Sequence, residues 1–140
     1  MYEDFVENQV FIGMQFALMD DIYKVIKKSC EENGLNGVRV DELTNSNVII
    51  DDIKNLIEKS EFILLDLSHP NPNVYYELGY ADGVGNSGAD ILLIAQKDTQ
   101  LHFDVKHRRV LLYKDAYDLQ EQLKIRLPQF KEDGRKWKKH

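Results

Sequence analysis

The sequence predicts a doubly wound α/β domain: a five-stranded parallel sheet of strand order 2-1-3-4-5 between two layers of helices, three layers in all. Two observations carry the prediction. Along the 140 residues the apolar period switches repeatedly between short continuous runs and spacings of three and four. That is the alternation of strand and helix a parallel sheet requires, because each parallel step needs a crossover. The second is the run from Phe62 to Leu67, apolar at every position except Asp66, as suits a central strand covered on both faces. An arrangement of this kind is flavodoxin-like.

Each element follows from its own pattern. Val10-Phe11-Ile12, closed by Gly13, reads as the first strand. Over 17–33 the residues Leu18, Ile22, Val25, Ile26 and Cys30 draw one face of a helix, which Asn33-Gly34 stops with Gly34 past its last turn. Residues 38–40 form a short second strand. The next helix spans 46–59, with Ile49, Ile53, Leu56 and Ile57 inward. The third strand covers 62–67. The loop Ser68-His69-Pro70-Asn71-Pro72 then leads into a helix reaching about Val84, with Asn71 as its cap and Pro72 as its first residue. Ile91 opens the fourth strand, over 91–95, and 110–113 is the fifth. Between them the polar stretch 96–107 shows no period. Residues 119–127 form most of the last helix, which Pro128 ends.

Size and composition agree with one globular domain over 1–130, followed by a basic tail over 131–140. The chain is 43% apolar and 30% charged, without repeats or low-complexity segments. Its apolar runs are of strand length, far short of the roughly 20 residues of a membrane span. The acidic start Met1-Tyr2-Glu3-Asp4 has no leader pattern, and the single cysteine, Cys30, excludes an internal disulfide. Both fit a cytoplasmic protein. Net charge is −6; the last ten residues carry +3, leaving −9 for the body. An acidic body argues against nucleic acid as the main partner. The tail reads as a solvated, partly frayed C-terminus.

In sheets of this order, ligands bind beyond the carboxyl ends of the strands, where the order reverses between strands 1 and 3. The residues there are Gly13, Met14, Gln15 and Phe16 after the first strand, and Asp66, Ser68, Asn71 and Asn73 after the third. Gly13 permits close approach of a ligand to the backbone, or is a plain turn glycine. Asp66 ends an apolar strand, where a carboxylate must be solvated, ligand-bound or structurally paired. Glu77 is a lone acid in a mostly apolar helix start, on the same face as Asn73. A functional carboxylate and an acid placed near the positive helix end account for it equally. His69, His102, His107 and His140 lack metal-ligand spacing, so no metal is expected. No phosphate-loop or dinucleotide fingerprint is present. The pair Asp51-Asp52 reads as an acidic first helix turn, and Cys30 as a small buried hydrophobe.

The run DLSHPNPNVYYELGYA, from Asp66 to Ala81, resembles the signature of the nucleoside 2-deoxyribosyltransferase-like superfamily and its bacterial TIR-like relatives. There, a strand ending in Asp leads through a short loop to a helix with an (F/Y)ELG(Y/M)A core. Weaker likenesses lie at 10–13, 50–60 and 103–110, so the resemblance spans roughly 9–113. It implies a flavodoxin-like fold and cleavage or transfer at an N-glycosidic bond of a nucleoside, nucleotide or NAD-like substrate. It places the family's carboxylate, acting at the sugar C1′, on Glu77, and an acid contacting the substrate on Asp66. The loop and helix start, with Asn71 and Asn73, would then hold a phosphate or ribose hydroxyl, and Phe11, Phe16 or Tyr76 would stack on a base. No cofactor is implied, and relatives that build their pocket across a subunit contact imply a homo-oligomer. The competing expectation is a binding module of the same fold that senses a nucleotide or assembles like a TIR adaptor without turnover, as in anti-phage defence. In a third, the motif is structural.

Overall fold

The computed structural model describes residues 5–39, 50–69, 72–84, 90–101, 105 and 107–138. Five strands, β1 (Val6–Gly13), β2 (Asn36–Val38), β3 (Ser60–Asp66), β4 (Ile91–Gln96) and β5 (Val110–Tyr113), form one parallel sheet in the order β2-β1-β3-β4-β5. The helices are α1 (Asp20–Glu32), α2 (Ile50–Lys59), α3 (Pro72–Gly83) and α4 (Ala116–Lys138), with a 3-10 turn at Phe16–Leu18. The predicted topology and strand order are therefore those observed.

Strand pleating divides the core in two. Val10, Ile12, Phe62, Leu64 and Ile94 face α1 and α4, where they meet Ile22, Ile26, Cys30, Leu123 and Phe130. Phe11, Ile63, Leu65, Leu93 and Ala95 face α2 and α3, where they meet Ile57, Val74, Leu78 and Ala81. The register aligns Phe11 with Ile63 and Gly13 with Leu65. Like parities of β1 and β3 therefore look to the same side.

Several boundaries differ from the sequence expectation. β1 starts before its apolar run, because Val6 pairs with Ser60 across an irregularity at Asn8, which has φ +70°. β2 lies two residues earlier than expected, and Val40 falls outside the described residues, as do the expected helix positions 46–49. The expected helix over 17–33 divides into the 3-10 turn and α1. Its stop is as predicted: Gly34 has φ +71°, its N–H reaches the Glu31 carbonyl (3.1 Å), and the Leu35 N–H reaches that of Cys30 (2.8 Å). Between β4 and β5 the described residues hold no α-helix, and buried Val105 packs into the α2–α3 side of the core.

The largest departure is α4. Pro128 was expected to end it, yet the helix continues through Pro128 to Lys138. Proline deprives one carbonyl of its helical donor. Burial of Leu127 and Phe130, whose ring lies 5.3 Å from that of Phe62, and the docking of Arg135 outweigh that loss. The Arg135 guanidinium donates to both Glu61 carboxylate oxygens (3.0 and 3.2 Å) and to Asn8 Oδ1 (2.5 Å). The expected frayed tail is therefore, as far as Lys138, a docked helix end. At the other end of α4, Gln122 Nε2 donates to the Leu112 carbonyl (2.9 Å) on the outer edge of β5.

Candidate functional site

The carboxyl ends of β1 and β3 meet where the strand order reverses, and α3 starts beside them. Pro72 is its first residue, as expected of the Asn71-Pro72 pair; Asn71 itself lies outside the described residues. Glu77 stands midway along α3 and is only 7% exposed. Its carboxylate lies directly over Gly13: a Cβ added at Gly13 would sit 2.6 Å from Glu77 Oε1, 2.7 Å from Leu65 Cδ2 and 3.2 Å from the Phe11 ring. Glycine at position 13 is what allows the carboxyl to close against the strand. Among the described residues no cation or hydrogen-bond donor compensates this carboxyl, and burial pushes its pKa up to about 7.

Asp66 is placed differently. It is 1% exposed and both its oxygens are engaged. Oδ1 accepts the Ser68 N–H (2.8 Å) and Oδ2 accepts the Tyr113 hydroxyl (2.6 Å). Ser68 Oγ lies 3.2 Å from the same hydroxyl and accepts the Gln96 N–H (2.8 Å). The unit ties together the ends of β3, β4 and β5. Burial raises the Asp66 pKa, against the opposing effect of the Ser68 and Tyr113 hydrogen bonds. Burial and the adjacent Asp66 charge also raise that of Tyr113.

Parity separates these two acids. Asp66 follows Phe62 and Leu64 in pointing to the α1–α4 side, where Tyr113 also packs. Glu77 and Gly13 belong with Phe11 and Leu65 on the α2–α3 side. The structure thus joins Glu77, Gly13 and Phe11, and separately joins Asp66 and Ser68, at one edge but on opposite faces of the sheet. Phe11 is 1% exposed and walls the Glu77 carboxyl as part of the core. Met14 is buried among the α1–α4 residues. Gln15 is half-buried and Phe16 opens the 3-10 turn. Asn73 and Tyr76 are exposed on α3, Tyr76 by 44%. Tyr113 was missed from sequence. The only available signal was a hydroxyl-bearing residue ending an apolar strand, which reads equally as core.

Among the described residues no group of His, Cys, Asp or Glu could hold a metal ion, and no helix is long and apolar enough to cross a membrane. Cys30 is buried, and burial pushes its thiol up to about 12.

By sequence, no family model and no curated protein matches the chain. By structure, it is similar to the CMP N-glycosidase BcmB of Clostridium botulinum (TM-score 0.62, 16% identity, covering 84% of this chain and 99% of that one). It is similar to a flavo di-iron protein of Thermotoga maritima (TM-score 0.62, 15% identity), matching 91% of this chain but only 37% of that one. A diflavin flavoprotein A3 of Nostoc sp. aligns with a TM-score of 0.57 at 14% identity, over 94% of this chain and 96% of that one. At these identities the likeness shows the flavodoxin-like fold.

Proposed function

We propose that the protein cleaves or transfers at the N-glycosidic bond of a nucleoside, nucleotide or NAD-like substrate, with Glu77 acting at C1′. The observation that carries this reading is the Glu77 carboxyl, buried against Gly13 at the switch point of the sheet. Its support comes from the ELGYA sequence around it and from the activity of one structural neighbour, a CMP N-glycosidase.

The chemistry suits such a group. When the C1′–N bond breaks, its electron pair leaves with the base and positive charge grows on the sugar ring. A carboxylate at C1′ stabilises that charge, or forms a bond to C1′ that water or an acceptor hydroxyl then displaces. Apolar neighbours such as Phe11 and Leu65 keep water away and strengthen the attraction. A pKa of about 7 leaves a fraction of Glu77 ionised near neutrality, and the developing cation favours that ionised form. Asp66, with both oxygens engaged by Ser68 and Tyr113, acts in this reading as a positioning residue for the loop ahead of α3.

The test is product analysis by mass spectrometry. The protein is incubated with NAD, deoxynucleosides and nucleoside monophosphates including CMP, beside Glu77→Gln. Release of free base by the wild type, reduced at least ~10²-fold in Glu77→Gln, is the expected result. Binding without any release by folded wild type would replace this reading with a nucleotide-sensing module.

A further inference from the structure

A second concave surface lies away from Glu77, along the outer edge of β5. It is a groove of about 900 Å³ between the edge strand and α4, opening toward the start of β4. That volume is in the range of small-ligand sites. On the α4 side it is apolar and open: Ile125 is 69% exposed, beside half-buried Leu111. Its amino end carries Arg109 and Arg126, beside Arg108.

Among the described residues lining the groove, three arginines stand against one carboxylate, Asp133. Arg108 is committed to Asp82 on α3 through a 2.7 Å ion pair. Arg126 is half-buried over the Phe130 ring, its cation 5.9 Å from the centroid. Burial and the nearby Arg109 charge both lower its pKa, and Asp133 partly offsets them. Two guanidinium groups repel each other across a groove in a chain of net charge −6. Guanidinium forks of this kind bind carboxylate, sulfonate or phosphate oxygens in pairs.

We propose that this groove is a second ligand site for an organic anion of nucleotide size, its acidic group held between Arg109 and Arg126 and its apolar body lying on Leu111 and Ile125. The occupant is not an added strand: Gln122 already fills the outward carbonyl of Leu112, where a strand would pair. Nor is it a second copy, which across a two-fold contact would bring two more arginines to the same groove.

The probe is anilinonaphthalene sulfonate, an aromatic anion, followed by fluorescence titration with inorganic pyrophosphate as competitor. Saturable binding of one probe per chain is expected, weakened roughly tenfold by Arg126→Gln and by Arg109→Gln, about threefold by Ile125→Ser, and unchanged in Glu77→Gln. Unfolding curves of each variant confirm that it is folded. The proposal fails if no saturable binding occurs, if the arginine variants bind as tightly as wild type, or if Glu77→Gln abolishes binding. It also fails if the protein is a dimer that Ile125→Glu converts to monomers, since the groove would then be a subunit contact.

Discussion

The Glu77 carboxyl keeps its proton well into neutral pH because burial penalises the anion. The consequence for stability has a definite sign. The folded pKa, about 7, lies above the ordinary 4.5, so the folded state binds this proton more tightly than the unfolded chain. Nothing is lost below pH 4.5, the penalty grows between pH 4.5 and 7, and it is complete above that, at about 3 kcal/mol. Glu77→Gln cannot titrate. Urea unfolding from pH 4.5 to 8.5 should show the variant gaining about 3 kcal/mol on wild type across that window; a pH-independent difference would mean the carboxyl is not desolvated. The sequence singled out Glu77 because an acid stands alone among Val74, Tyr75, Leu78 and Ala81. It could not show the carboxyl lying on Gly13, a contact between residues 64 positions apart. Asp66 was likewise visible as an acid ending an apolar strand, whereas its partner Tyr113 depends on the pairing of β4 with β5.

Among elements, α4 shows how tertiary contacts override a local stop signal. Proline is a breaker on average, yet here two turns beyond Pro128 are held by Phe130 and by the Arg135–Glu61–Asn8 unit. Glu61 is 3% exposed and also accepts the Asn8 N–H (2.8 Å). Removing Arg135 takes a positive charge and two hydrogen bonds from that buried carboxylate. Arg135→Ala should therefore cost about 2–3 kcal/mol, below the usual figure for a fully buried pair because Arg135 is partly exposed. In a Glu61→Gln background the same substitution should cost under ~1 kcal/mol. Denaturant midpoints of the four proteins measure this, and equal losses in both backgrounds would assign the effect to helix propensity instead. The other elements were legible where a period was sustained, as in α1, α2 and β3. β1 and β2 were misjudged at their polar or irregular ends, where pairing rather than pattern sets the limit.

For the whole molecule, strand order followed from the alternation of periods, but which acid faces which layer did not. Residue parity along β3 can be counted in the sequence; which parity looks toward α3 is fixed only by the register with β1 and the placement of the helices. The sheet therefore stands between Asp66 and Glu77. Because the two share no partner among the described residues, the stability effects of Asp66→Asn and Glu77→Gln should add to within ~0.5 kcal/mol in the double variant. A coupling above ~1 kcal/mol would place the two carboxyls in one network.

The isolation of Cys30 has a practical consequence. It is buried among α1 and the first strands, and its thiol resists ionisation up to about pH 12. Alkylating reagents attack the thiolate, so the native chain is effectively silent toward maleimides at neutral pH. A cysteine introduced at exposed Ile125 or Tyr117 would take up a fluorophore selectively without first removing Cys30, and motions of α4 become observable one label at a time.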